Sequence, residues 1–154
     1  MSILADIFYN YLSGIQKIIK KDSSKKFYYL SLIKENDNNW SIHGLWPQYS
    51  ENSYPTFCKK VVFDINKLND ILPELEENWY SFKKTVKDDE EFWKHEWEKH
   101  GSCMFTDMDE FNYFKKTLDL FKTALQIDLP NDFYNKDTNK CLIPIDLDFK
   151  FILD

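Results

Sequence analysis

All three histidines of this 154-residue chain lie in two short segments that also contain tryptophan and glycine. His43 belongs to Ser-Ile-His-Gly-Leu-Trp-Pro, residues 41–47, while His95 and His100 belong to the segment 92–103. Histidine gives and takes protons near neutral pH because its unperturbed pKa is about 6.5. A chain with every histidine in two such segments is therefore predicted to use them for proton transfer.

The second segment places four ionisable side chains on one side of a helix. At about 100° per residue they project within about 140° of one another, and they are His95, Glu96, Lys99 and His100. RNA cleavage by transesterification needs a base for the 2′-hydroxyl proton, an acid for the leaving 5′-oxygen and donors for the charge on the phosphorane. Two histidines on opposite sides of a phosphate, with a lysine beside them, meet these needs without a metal.

Two other interpretations of the same residues compete with this one. Glu96 and Lys99 by themselves fit an ordinary surface pair, worth only about 0.2–0.5 kcal/mol. His95 and His100 are similar to the zinc pattern of two helical histidines, but that pattern has a spacing of four and here the spacing is five. Five residues turn the two side chains about 140° apart, too far to hold one ion from a regular helix. We therefore expect no metal site and no cofactor.

Composition limits the kinds of protein that this chain can be. A length of 154 residues with 43% hydrophobic residues fits one soluble domain, and no apolar run approaches the roughly 20 residues of a membrane span. The 20 basic and 26 acidic residues give a net charge of −6, which disfavours broad binding along nucleic-acid backbones. Any RNA contact must then be confined to a cleft, and we expect a monomer without DNA as a partner.

The hydrophobic pattern along the chain predicts an α+β domain. Apolar residues at three-to-four spacing predict an extra amphipathic helix over residues 1–22. Runs rich in aromatic and β-branched residues predict strands at 27–33, 40–45, 141–145 and 149–153, with Pro47 ending the second. We expect one small central antiparallel sheet flanked by helices, in a single domain of residues 1–154.

Residues that cap helix ends predict where three helices begin. Asp64 is predicted to cap a helix through Leu72 that continues to Asn78, Asp88 to cap residues 89–100, and Asp107 to cap a helix containing residues 111–125. Gly101 is a natural stop for the second of these helices. The predicted helix 89–100 carries the ionisable face.

The two histidine segments resemble the paired motifs of the ribonuclease T2 family of acid endoribonucleases. The first family motif reads aromatic-x-aliphatic-His-Gly-Leu-Trp-Pro and is similar to residues 40–47. The second ends His-Glu-Trp-x-Lys-His-Gly-x-Cys and is similar to residues 95–103. The resemblance implies a ribonuclease T2-like fold and metal-independent cleavage of single-stranded RNA through a 2′,3′-cyclic phosphate.

The resemblance also implies a role for each ionisable residue. His43 would be the general acid and His100 the general base. Glu96 and Lys99 would stabilise the transition state, and His95 would hold phosphate. A protonated histidine in the last helical turn also gains from the negative end of the helix dipole, which is consistent with an enzyme that works in acid.

Four further residues are implied in base recognition. Trp46 and Tyr54 correspond to the tryptophan and tyrosine on which the family stacks a nucleobase, and stacking tolerates any base, so low base specificity is expected. Gln48 could use both ends of its amide on a base edge. Phe92 corresponds to the second base site, although a role as a core aromatic residue fits it equally well.

Three cysteines leave at least one thiol unpaired within a monomer. The resemblance pairs Cys58 with Cys103 and leaves Cys141 without a partner. The chain resembles a shortened member of the family, and we expect it to lack a secretory signal. The family is usually secreted, lysosomal or vacuolar. Because we expect no secretory signal, an intracellular or viral setting also fits the sequence.

Two functions from different classes follow from the sequence. One is an active metal-independent endoribonuclease. The other is a ribonuclease-like protein that binds RNA or a host component and whose catalysis is incidental. The presence of both His43 and His100 favours the enzyme, because a pure binder does not need two proton-transfer partners.

Overall fold

A computed structural model describes residues 25–82 and 85–154. The amphipathic helix expected over residues 1–22 lies outside the described residues. Within them, a four-stranded antiparallel sheet packs with helices, which confirms the predicted α+β architecture. No helix in these residues combines the length and the apolar character needed to cross a membrane.

The sheet begins with a hairpin of β1, Phe27–Asn36, and β2, Asn39–Gln48. The short β3, Tyr134–Asn135, precedes β4, Lys140–Ile145, and β4 pairs with the other side of β1. The strand order is β2-β1-β4-β3, so β2 is an edge strand. β3 was not predicted, since two residues carry no readable periodicity.

Two strand predictions were wrong. β2 continues through Pro47 to Gln48. A proline is tolerated in an edge strand, because no neighbouring strand needs the N–H that proline lacks. Residues 149–153 form no strand, and only Phe151 makes an isolated bridge to the sheet. There, the carboxylate of Asp146 accepts backbone N–H groups of the following turn and folds the chain back sharply.

Three α-helices lie in the described residues. A 3-10 helix, Ile65–Ile71, leads directly into α1, Leu72–Asn78; α2 spans Val86–Lys99, and α3 spans Glu110–Gln126. All three predicted helical regions are therefore present, and their start points are decided by caps.

One predicted cap is confirmed and two were displaced by neighbours. Asp64 caps the 3-10 helix as predicted. Thr85 caps α2 instead of Asp88, so α2 begins three residues earlier than expected. Asp109 caps α3 instead of Asp107. In both cases two good capping residues lie within three positions, and capping preference alone does not rank them.

The end of α2 depends on close packing around a glycine. α2 ends at Lys99, and Gly101 follows its C-cap residue, as predicted. Gly101 does not adopt the left-handed conformation of a typical C-cap glycine and instead begins a 3-10 helix, Gly101–Cys103. A Cβ atom at this position would collide with the ring of Trp97. Glycine is therefore required by the approach of an indole ring.

The core is built largely from aromatic residues whose polar atoms fasten α2 and α3 to the sheet. Trp93 on α2 donates its indole N–H to the carbonyl of Trp79 at 2.5 Å, and Trp79 in turn donates to the carbonyl of His43 at 3.0 Å. Tyr113 on α3 donates its hydroxyl to the carbonyl of Leu45 at 2.9 Å. These buried bonds fix the backbone of β2 at two alternate residues, because an unpaired polar group there would be costly.

A disulfide joins Cys58 to Cys103, with Cα atoms 5.1 Å apart, and confirms the pairing implied by the family resemblance. Cys141 is a buried free thiol, also as expected. The bridge ties the loop after β2 to the end of α2. Both segments that carry the predicted site are therefore linked covalently.

We expect a double variant, Cys58→Ser with Cys103→Ser, to be less stable by about 3–4 kcal/mol, because the bridge closes a loop with a sequence separation of 45 and restricts the unfolded chain. Thermal unfolding measures the loss. Reductant should lower the Tm of the wild type but leave that of the double variant unchanged, since Cys141 is already a thiol. Equal Tm values for the oxidised wild type and the double variant would contradict the prediction.

Candidate active site

The candidate site lies where the edge strand β2 meets helix α2. β2 supplies His43 and Trp46, α2 supplies Phe92, His95, Glu96 and Lys99, and His100 follows as the C-cap. The structure thus brings all five predicted catalytic side chains into one neighbourhood. His95 and Lys99 both act electrostatically on the other two histidines.

His43 occupies a β-bulge. Ser31 on β1 pairs with Gly44, and the next residue, Leu32, pairs with Ile42, so His43 has no partner in the register. A bulge re-aims the side chain at its position and is common beside active sites. The His43 imidazole is 44% exposed and turns toward α2.

Glu96 is the centre of the site. One carboxyl oxygen lies 3.5 Å from Nε2 of His43, and the other lies 3.7 Å from Nε2 of His100. The second oxygen also accepts the indole N–H of Trp46 at 3.1 Å. Only 2% of the Glu96 side chain is exposed, so one buried carboxyl links the two imidazoles.

Gly44 makes room for this arrangement. A Cβ atom at Gly44 would lie 2.5 Å from the Glu96 carboxyl and 2.5 Å from the indole nitrogen of Trp46. Real Cβ atoms do not approach so closely, and both neighbours are fixed by their mutual hydrogen bond. The glycine of the His-Gly-Leu-Trp motif therefore lets the strand lie directly against the carboxyl group.

Burial changes the proton affinity of Glu96. Removal from water raises its pKa from 4.5 to about 8, with the Trp46 hydrogen bond and the positive charge of Lys99 acting in the opposite direction. The carboxyl is therefore neutral through the acid and neutral pH range. A neutral carboxyl can donate a hydrogen bond to an oxyanion, which an ionised one cannot do.

Burial and nearby positive charge act together on the two histidines. Burial, with Lys99, His43 and His95 adding repulsion, lowers the pKa of His100 to about 3. Burial also lowers the pKa of His43, with help from His95, Lys99 and Lys140. His100 is consequently a neutral base in the free protein over most of the acid range. The positive charges of Lys99 and Lys140 near the histidines suit the site to an anion.

Aromatic rings form the walls around the histidines. The indole of Trp46 stacks on the His100 ring at 5.1 Å and meets the His43 ring edge-on at 4.9 Å. Phe92 approaches the other side of His43 at 5.8 Å. Trp46 is thus part of the internal packing of the site, a structural contribution that the sequence did not indicate.

The other two predicted base-binding residues differ from each other in exposure. Tyr54 is 54% exposed and is available for a ligand. Gln48 is 3% exposed, and its amide donates to the carbonyls of Ser50 and Glu51 at 3.0 and 3.4 Å. This placement favours a role for Gln48 in shaping the loop that carries Tyr54, instead of a direct contact with a base edge.

Two residues near the site were missed by the sequence analysis. Trp79 holds the carbonyl of His43, but no periodic pattern distinguishes it from other core aromatics. Ser102 accepts the backbone N–H of Cys58 at 3.1 Å and donates to the carbonyl of Glu98 at 2.7 Å. In the sequence, only the position of Ser102 next to Cys103 indicated that it lies near the site.

One cavity of about 610 Å³ is lined by residues that include the start of β1 and residues 151–154, and it contains none of the predicted site residues. Across residues 25–82 and 85–154, no three His, Cys, Asp or Glu side chains are grouped to hold a metal ion.

The opposite pKa shifts predict how stability changes with pH. The pKa of the Glu96 carboxyl rises from 4.5 to about 8 on folding, so the fold becomes less stable as pH rises between those values. The unfolded chain has already lost the proton there, whereas the folded protein must keep it. The pKa of the His100 imidazole falls from 6.5 to about 3 on folding, so the fold becomes less stable as pH falls between those values. We therefore expect the highest Tm between pH 4.5 and 6.5, where the two effects offset each other.

Glu96→Gln isolates the carboxyl contribution because glutamine keeps the shape but does not ionise. Its Tm should fall less than that of the wild type between pH 6.5 and 8. Glu98→Gln, which changes a partly exposed carboxylate on the same helix, is the matched control and should follow the wild-type profile. The explanation fails if the wild type and Glu96→Gln show the same alkaline decline.

Comparison with known proteins supports one family. The sequence model described as the ribonuclease T2 family matches residues 12–135. Ribonuclease 1 of Arabidopsis thaliana is 37% identical over 83 residues, which are 53% of this chain and 36% of that protein. Ribonuclease T2 of Homo sapiens is 38% identical over 90 residues, 54% of this chain and 32% of that protein. A ribonuclease-like storage protein of Panax ginseng is 36% identical over 90 residues, 58% of this chain and 37% of that protein.

Solved structures show the same fold. The structure of RNase NT in complex with 5′-AMP has a TM-score of 0.63 at 21% identity, covering 84% of this chain and 90% of that chain. An RNase-related protein from Calystegia sepium has a TM-score of 0.62 at 16% identity, with the same two coverages of 84% and 90%. The alignments to the curated relatives span less than two fifths of their length. Because the family model matches the larger part of its sequence, this chain belongs to the ribonuclease T2 family.

Proposed function

We propose that this protein is an endoribonuclease that cleaves single-stranded RNA by metal-independent transesterification, through a 2′,3′-cyclic phosphate and with low base specificity. The observation that carries the proposal is the buried Glu96 carboxyl between the imidazoles of His43 and His100, with Lys99 beside them. Such a set supplies an acid, a base and donors for a phosphorane.

The protons move in a balanced cycle. His100, held neutral by burial, takes the proton of the 2′-hydroxyl as that oxygen attacks phosphorus. The bond from phosphorus to the 5′-oxygen breaks, and His43 gives its proton to that oxygen. Water and the reversed proton transfers then open the cyclic phosphate. The neutral Glu96 carboxyl and the Lys99 ammonium donate hydrogen bonds to the charged phosphoryl oxygens.

Substrate binding prepares His43 for its role as the acid. The free site holds His43 at a lowered pKa, because the imidazole is partly buried and faces His95 and Lys99. A bound phosphate brings negative charge that offsets this repulsion and raises the pKa of His43. The exposed His95 is suited to hold that phosphate. His43 is thus protonated most readily when a substrate is present.

Three aromatic rings support low base specificity. Trp46 and Phe92 both contact the His43 ring, and Tyr54 is 54% exposed. Every base has a π-face that such rings can bind. RNase NT, which has the same fold, was crystallised with 5′-AMP, and this supports a nucleotide ligand here.

The alternative is a protein that binds RNA or a host component without using catalysis. The name of the ginseng relative, a ribonuclease-like storage protein, indicates that family membership and activity are separate questions. The two proposals differ in whether His43 and His100 change RNA covalently, so a cleavage assay discriminates between them.

We expect the purified protein to cleave single-stranded RNA in EDTA, to yield 2′,3′-cyclic phosphate ends and to leave DNA intact, because DNA lacks the attacking hydroxyl. Chromatography of the products measures all three results. Loss of activity in EDTA would contradict the two-histidine mechanism. Binding of RNA without any cleavage would favour the alternative.

Variants assign the activity to the proposed site. His43→Ala and His100→Ala should each lower kcat by about 10²–10⁴-fold while RNA binding persists. Lys94→Ala, on an exposed part of α2, is the control and should keep the wild-type rate.

In the wild type, kcat/KM should rise with pH as His100 loses its proton and fall as His43 loses its own, giving an optimum on the acid side of neutrality.

We expect Tyr54→Ala to weaken kcat/KM for dinucleotide substrates by about 1–3 kcal/mol through lost stacking. Tyr54→Phe keeps the ring and should retain most of the activity. Tyr49→Ala removes another exposed tyrosine of the same loop, 43% exposed, and is the matched control. Equal kinetics for wild type and Tyr54→Ala would return Tyr54 to a structural role.

A further inference from the structure

Phe57 combines two features that a loop residue rarely has together. Its side chain is 56% exposed, although it is one of the largest apolar side chains in the protein. Its backbone has φ 48°, in the left-handed region that disfavours residues other than glycine and asparagine. Folding therefore holds an aromatic ring in solvent in a strained conformation. Strain that the surrounding structure maintains is a reason to look for a ligand.

The loop at Phe57 is fastened to the end of α2 by several bonds. The backbone N–H of Phe57 donates to the carbonyl of Lys99 at 2.9 Å. The next residue, Cys58, is bonded to Cys103 and donates its own N–H to Ser102 at 3.1 Å. The backbone that carries the ring is therefore held against the end of α2 before any ligand binds, which lowers the entropic cost of binding.

The ring of Phe57 contacts a residue of the proposed active site, His95. Its centroid lies 6.2 Å from the His95 imidazole, and the two rings meet edge-on at 72°. More than half of the Phe57 residue is exposed, so ring surface remains accessible to a ligand. Tyr54, also exposed, lies three residues earlier in the same loop.

We propose that Phe57 is an additional stacking platform, which binds a nucleobase of single-stranded RNA outside the two nucleotides that flank the cleaved bond. This inference rests on the proposed ribonuclease function and specifies its substrate as an oligonucleotide of three or more residues. With a net charge of −6, the protein has little general attraction for RNA backbones, so stacking is an effective way to add affinity.

The test compares binding and cleavage over a series of substrate lengths. Single-stranded RNA oligonucleotides of two to six residues, with 2′-fluoro groups that prevent attack, report Kd without turnover. Phe57→Leu keeps an apolar side chain but removes the π-face, and Phe57→Trp restores one. Val62→Ala removes another exposed apolar side chain of the same loop, 75% exposed, and is the matched control.

We expect the wild type to bind more tightly once the oligonucleotide exceeds two residues, and Phe57→Leu to lose about 5- to 150-fold of that gain, the range of one stacked base. Phe57→Trp and Val62→Ala should retain it. The lost affinity should appear in KM for long substrates more than in kcat, and should persist at high salt.

Two outcomes separate this inference from the proposed function. If the wild type cleaves RNA but Phe57→Leu keeps the full length dependence, the platform is refuted and the ribonuclease proposal stands. If the wild type cleaves no RNA, the ribonuclease proposal is refuted, and the binding series alone decides whether Phe57 stacks on a base. Equal weakening by Phe57→Leu at every length, two residues included, would refute the platform as placed here.

Discussion

The structure around the site depends on one constraint: the carboxyl group of Glu96 is removed from water and must find partners within the protein. Its partners are the two imidazoles and the indole N–H of Trp46. All three lie on or next to the meeting point of β2 and α2, so the strand and the helix must approach closely. Gly44 allows that approach, because any side chain there would occupy the space of the carboxyl.

A line of indole groups holds β2 in the position that this constraint requires. Trp93 on α2 binds the carbonyl of Trp79, and Trp79 binds the carbonyl of His43 at the bulge. A carbonyl that a bulge removes from the sheet ladder needs a new donor, since burial without one is costly. The core therefore stabilises the irregular backbone conformation that directs His43 toward Glu96. Packing and chemistry share the same residues.

Much of this arrangement was predictable from the sequence, and the exceptions have physical reasons. The helix face that carries Glu96 follows from residue spacing, and the α+β fold follows from the hydrophobic pattern. The bulge at His43 was not predictable, because it depends on the register with β1 and on Trp79, 36 residues away. The base contact of Gln48 stays a prediction, and the sequence did not indicate that its amide nitrogen donates to local loop carbonyls. Local rules fail where distant or competing partners decide.

The bulge and proline in β2 also affect how this protein meets other copies of itself. β2 is an edge strand in the described sheet, and a regular edge presents a row of backbone groups on which a second chain can add a strand. Pro47 removes one donor from that row, and the bulge at His43 breaks its spacing. The motif that forms the candidate site thus also makes this edge a poor template on which a second chain could add a strand.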